Sequence, residues 1–157
     1  MIQSPRARWR LFSWLPLLPL LALAGNAAAS TQTTPVGLWK SVDDQTGEVK
    51  SLVRIVESRG VLVGRIEQVL RKGVRPDAVC EACTDDRRRQ PIIGLEIIRG
   101  AVRAGQGPSW EKGEVLQPET GRVFNLRLTP IDGGRKLEVR ASKFGIGRTQ
   151  VWVRVAE

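Results

Sequence analysis

The chain has 157 residues, with 25 Lys and Arg against 16 Asp and Glu, a formal net charge of +9, and no His. That length points to one domain. Without His there is no Ser-His-Asp or Cys-His nucleophile pair, no His zinc ligand and no imidazole pH switch. The chain opens with Arg6, Arg8 and Arg10 and carries no acid before Asp43. Leu11 to Ala24 is then a nearly unbroken apolar run of 14 residues, interrupted by Ser13, Pro16 and Pro19. It is shorter than the roughly 20 residues of a spanning helix. Ala27-Ala28-Ala29 supplies small residues for cleavage. A charged start, a short apolar run and a small-residue exit predict a secretory signal peptide over residues 1–29, cut near Ala29. The alternative is an uncleaved anchor. No Cys follows the run for lipid attachment, and Trp9 splits the arginines of a twin-arginine signal. Removing 29 of the 157 residues leaves 128, predicted as a single domain over 30–157. Loss of three arginines brings the net charge to +6. Nucleic acid is a poor partner, because the basic residues are not interleaved with aromatics. An anionic envelope surface is a candidate contact, with a solvated basic surface as the ordinary alternative.

The rest of the chain reads as strands. Turn signals stand at Asp43–Gly47, Ser58–Gly60, Pro118–Gly121 and Asp132–Gly134. Phe124, Leu126 and Leu128 alternate with polar residues, as do Leu137, Val139 and Ala141, and then Val151, Val153 and Val155. That is the period of a strand. Ile92 to Val102 is ambiguous, and its isoleucines and glycines favour a strand. The pattern predicts strands at about 36–42, 48–58, 61–70, 92–103, 109–117, 122–130, 135–142 and 149–155. A sequential antiparallel sheet of this kind has two exposed edges unless it closes. The expected fold is therefore all-β, an antiparallel up-and-down eight-stranded barrel, with a two-sheet sandwich as the alternative.

Arg71 to Pro91 breaks the rhythm with 21 residues of little periodicity, the mark of a functional or irregular loop. It holds Cys80-Glu81-Ala82-Cys83. Thr84 follows the second Cys, where haem attachment needs His. Zinc would find its site half built unless two chains shared it. A redox pair needs a stabilised thiolate, and Asp77, Glu81, Asp85 and Asp86 oppose one. In an oxidising compartment the plain reading is a Cys80–Cys83 disulfide. Closing so short a loop contributes roughly 2 kcal/mol, enough to pin the loop rather than the fold. Asp85-Asp86-Arg87-Arg88-Arg89 reads as a solvated block of partly neutralising charges, or as an anion contact at a barrel mouth.

Several motifs carry a resemblance jointly. They are Gly37-Leu38-Trp39-Lys40, Val63-Gly64-Arg65-Ile66, the cysteine pair, Pro91-Ile92-Ile93-Gly94-Leu95, Trp110…Gly113, Pro118…Gly121 and Gly147–Arg154. With them the chain, from about Pro35 to Arg154, resembles a bacterial secreted family catalogued as domain of unknown function 2147. Membership implies a lipocalin-like barrel in the periplasm or outside the cell, and it brings no established activity. A looser likeness is to the lipocalin and fatty-acid-binding superfamily, whose first strand begins Gly-x-Trp. There, an Arg of the last strand packs across the indole. The likeness assigns these structural parts to Gly37, Trp39 and Arg154, and a cation over an indole contributes about 0.5–2 kcal/mol. Trp39 would then plug the closed end. The last strand sets that idea against burial statistics, which favour its Val face inward.

The expected function is non-catalytic: a small barrel binding an apolar or amphipathic molecule, with Phe124, Leu126, Leu128, Leu137 and Val139 as candidate lining residues. These five could equally fill a solid core. The alternative is an envelope interaction protein, dimeric through an apolar outer face. An enzyme would have to rely on Glu67, Glu96 or Glu114, and no nucleophile elbow, phosphate loop, metal set or cofactor motif accompanies them.

Overall fold

A computed structural model describes residues 33–157; the expected signal segment at 1–29 lies outside the described residues. Eight strands follow in sequence: β1 (Gly37–Val42), β2 (Val49–Ser58), β3 (Val61–Val69), β4 (Glu96–Arg103), β5 (Trp110–Gln117), β6 (Arg122–Ile131), β7 (Lys136–Lys143) and β8 (Ile146–Arg154). Each pairs antiparallel with the next, and β1 closes on β8 with Trp39 opposite Arg154 and Lys40 opposite Val153. The predicted up-and-down barrel is borne out. The sandwich is ruled out, because the two strands that would be its edges pair with each other.

Two boundaries move by three or more residues. The fourth strand starts at Glu96 rather than at 92, because Ile92–Leu95 folds back onto β3. The Gly94 N–H donates to the Ile66 carbonyl at 2.7 Å, and the Ile66 N–H to that of Leu95 at 3.0 Å. The eighth starts at Ile146 rather than at 149. A two-residue turn at Phe144-Gly145, with φ of 53° and 81°, lets Lys143 pair directly with Ile146. Positive φ at both central residues matches the right-handed twist of a hairpin.

The alternation of β6 and β7 sorts as the sequence implies, with Leu126, Leu128, Leu137 and Val139 buried. The last strand is a correction. Trp152 faces in, while Val151 and Val153 face out at 40% and 41% exposure. Register decides this. Arg154 lies directly across from Trp39 and shares its face, and a period of two then turns Trp152 inward and the valines outward. The valines form no continuous apolar patch: Val151 lies opposite Glu138, and Val153 opposite Lys136 and Lys40. The stems of such side chains cover apolar neighbours while their charges stay wet.

The half of the barrel nearest the β2–β3, β4–β5 and β6–β7 turns is packed solid. Trp39, Ile55, Leu62, Ile98, Leu128 and Leu137 are essentially without exposed surface there. Each such side chain contributes about 1.5–3 kcal/mol on burial.

Candidate functional site

The closed end is tied together by one cation. The Arg154 guanidinium sits 4.1 Å from the centroid of the Trp39 ring. It donates to the carbonyls of Thr34 (2.6 Å), Val36 (2.7 Å) and Gly134 (2.5 Å). The Trp39 indole N–H donates to the Pro35 carbonyl at 2.7 Å. Gly37 adopts φ of 138°, and a Cβ there would run into the guanidinium, so glycine is the residue that fits. Burial pushes Arg154 below its ordinary pKa, and the carbonyl dipoles and the indole face offset that desolvation.

The opposite half is hollow. A cavity of about 640 Å³ opens between the β1–β2, β3–β4, β5–β6 and β7–β8 connections. Its wall is apolar, with Ile66, Ile97, Leu116, Phe124, Val139 and Trp152. The inward positions nearer the mouth are small, among them Ser41, Ser51 and Ala141, and they leave the space that Trp39, Leu128 and Leu137 fill at the other end. Polar groups gather at the rim: Lys50, Arg71, Glu81, Glu119 and Arg148. The Trp152 indole N–H donates to Gln150 Oε1 at 3.3 Å.

Of the candidate lining residues, Phe124 and Val139 stand on the cavity wall. Leu126, Leu128 and Leu137 are buried but are not part of that wall. Sequence reasoning missed Ile66, Ile97, Leu116 and Trp152. Trp152 shares a face with Arg154, and the pairing of Arg154 with Trp39 turns that face inward.

The β3–β4 connection, residues 70–95, folds over one side of the mouth. Cys80 and Cys83 are joined, with their Cα atoms 5.4 Å apart, and both are buried. Val79 bridges to Pro91 across the loop. The Ala82 carbonyl presses on Gly121, where a Cβ would collide with it. Arg71 reaches from this connection to Glu119 of the β5–β6 turn at 2.9 Å.

The charge block in this loop is also a correction, because Arg87 is not solvated. It has no exposed surface and donates to Asp85 through Nε (3.0 Å) and Nη2, to the Glu96 carbonyl (3.2 Å) and to Glu114 (3.4 Å). Asp86 pairs with Arg99 at 2.8 Å. A buried guanidinium needs its carboxylate, so these charges order the loop. The Arg87 guanidinium holds the Asp85 carboxyl down to about 2. Because the folded pKa lies below the unfolded one, this contribution is complete above about pH 4 and is lost as pH falls through about 2. Hydrogen exchange of residues 79–91 should therefore accelerate between those limits, and Asp85→Asn should show the fast exchange already at neutral pH.

The three strand carboxylates lie away from the cavity. Glu67 pairs with Arg54 at 2.8 Å, Glu96 with Arg65 and Arg99 at 2.5 and 2.6 Å, and Glu114 with Arg87 at 3.4 Å. Arg54 lowers the pKa of Glu67. Among the described residues no group of three or more His, Cys, Asp or Glu could hold a metal ion.

Comparison with known proteins agrees with this architecture. Residues 37–154 match the model of a family described as "Uncharacterized protein conserved in bacteria (DUF2147)". The fold is similar to that of protein HP1028 from Helicobacter pylori, described as belonging to the lipocalin family. The two share 18% sequence identity with a TM-score of 0.65, over 78% of this chain and 83% of that one. No curated protein matches the chain.

Proposed function

The chain belongs to the family of uncharacterized proteins conserved in bacteria, DUF2147, and on that premise we propose that it is an exported binding protein of the bacterial envelope, periplasmic or secreted, that holds one apolar or amphipathic small molecule. The observation that carries the reading is the cavity of about 640 Å³ with its apolar wall and charged rim. That volume lies within the range of small-molecule sites, about 300–1,000 Å³. An apolar tail would lie against Phe124, Val139 and Trp152, and a polar head would sit among Lys50, Arg71 and Arg148. The reading is non-catalytic: Glu67, Glu96 and Glu114 are held by guanidinium groups away from the cavity. Export is supported by the predicted signal segment and by the cysteine pair, which suits an oxidising compartment.

Protein purified from its own envelope should release a single class of small molecule, identified by mass spectrometry. The stripped protein should bind a fluorescent fatty-acid analogue saturably, at one per chain. Absence of both an extractable molecule and probe binding would overturn the proposal.

A further inference from the structure

Phe144 combines two unfavourable choices. It is 92% exposed, and its φ of 53° lies in the left-handed region, where a bulky side chain is strained and Asn or Gly fits better. Two residues on, Ile146 is 83% exposed and forms part of the cavity rim. Folding gains nothing from burying either side chain, so the β7–β8 turn presents them outward at a cost in stability. The stretch from Val139 to Ala156 carries Arg140, Lys143, Arg148 and Arg154 and no acid. Lys143 Nζ lies 5.8 Å from the Phe144 ring centroid. Arg148 is engaged by Asp44 at 2.6 Å, which leaves Lys143 as the cation nearest the tip. Four strands round the barrel, on the far side of the same rim, exposed Val74 stands two residues from exposed Lys72. The mouth is thus flanked on two sides by an apolar side chain next to a lysine.

We propose that this open rim docks on an anionic lipid surface, with Phe144 and Ile146 seated at the acyl boundary and Lys143 and Lys72 against the headgroups. Apolar tips beside cations suit that boundary, where rings and aliphatic groups leave water and ammonium groups meet phosphate. A second copy fits the same patch poorly, because a two-fold contact through the tip would bring basic hairpins together. Docking would place the cavity mouth against the membrane from which an amphipathic ligand could enter. Adsorption itself does not depend on the cavity being filled.

The test is flotation of the full chain with vesicles of phosphatidylethanolamine and phosphatidylglycerol, compared with phosphatidylcholine alone. The wild type should float with the anionic vesicles, and added salt should release it. Phe144→Asn combined with Ile146→Ser should lower partitioning at least about tenfold, as expected from losing two apolar side chains. Phe144→Asn alone should keep or raise the melting temperature, because Asn tolerates the turn conformation. No binding to anionic vesicles, equal binding by the double variant, or a wild-type dimer that the double variant abolishes would each overturn the proposal. Failure to bind a fatty-acid probe would leave this result unaffected.

Discussion

Trp39→Ala should lower the unfolding free energy by about 3–5 kcal/mol, the range for truncating a fully buried aromatic, and the melting temperature by roughly 10–15 °C. The indole is fully buried, donates to Pro35 and carries the Arg154 guanidinium on its face. Truncation leaves a void at the seam where β1 meets β8 and strips the cation of its support. Arg154→Met tests the same seam from the other side. It keeps much of the stem but leaves the carbonyls of Thr34, Val36 and Gly134 without their donor, at about 1–3 kcal/mol for each carbonyl that water cannot reach. Urea denaturation measures both. A loss below about 1 kcal/mol for Trp39→Ala would show that barrel closure does not depend on this stack.

Ala141→Trp should reduce binding of a fluorescent fatty-acid analogue about a hundredfold while leaving the fold intact. Ala141 lies on the cavity wall beside Phe124 and Val139, so an indole there grows into empty space rather than into a packed core. Overpacking penalties of about 1–3 kcal/mol belong to filled interiors, and the closed half, with Leu128 and Leu137, is where they would apply. Isothermal titration alongside a thermal melt separates the two effects. Unchanged probe affinity in a folded variant would place the binding site elsewhere.

Much of the barrel is legible in the sequence because a half-buried strand writes its geometry in alternation. Phe124, Leu126 and Leu128 on β6, and Leu137, Val139 and Ala141 on β7, declare which faces turn inward without reference to any partner. On β8 the same logic fails. Val151 and Val153 look like the buried set, yet pairing of Trp39 with Arg154 turns them outward. Composition within one strand cannot outvote a register set by another strand far away in sequence. The loop shows a second kind of failure. Arg87 reads as a solvated charge because Asp85 is the one partner near it in the chain, and only folding adds the Glu96 carbonyl and the Glu114 carboxylate that bury it.

The cavity divides along the same line. Apolar inward residues are visible in sequence, but whether they meet is a matter of how much side-chain volume faces each from across the barrel. Leu128 and Leu137 meet other large side chains and fill their half. Phe124 and Val139 share their level with Ser41, Ser51 and Ala141, and the space stays open. Strand count, antiparallel order and the expectation of closure follow from hydrophobic period and turn chemistry, which are local properties of the chain. The inward face of β8, the burial of Arg87 and the position of the hollow half follow from contacts made in the folded barrel. Each of these depends on groups that lie apart in the chain and meet only in the folded barrel.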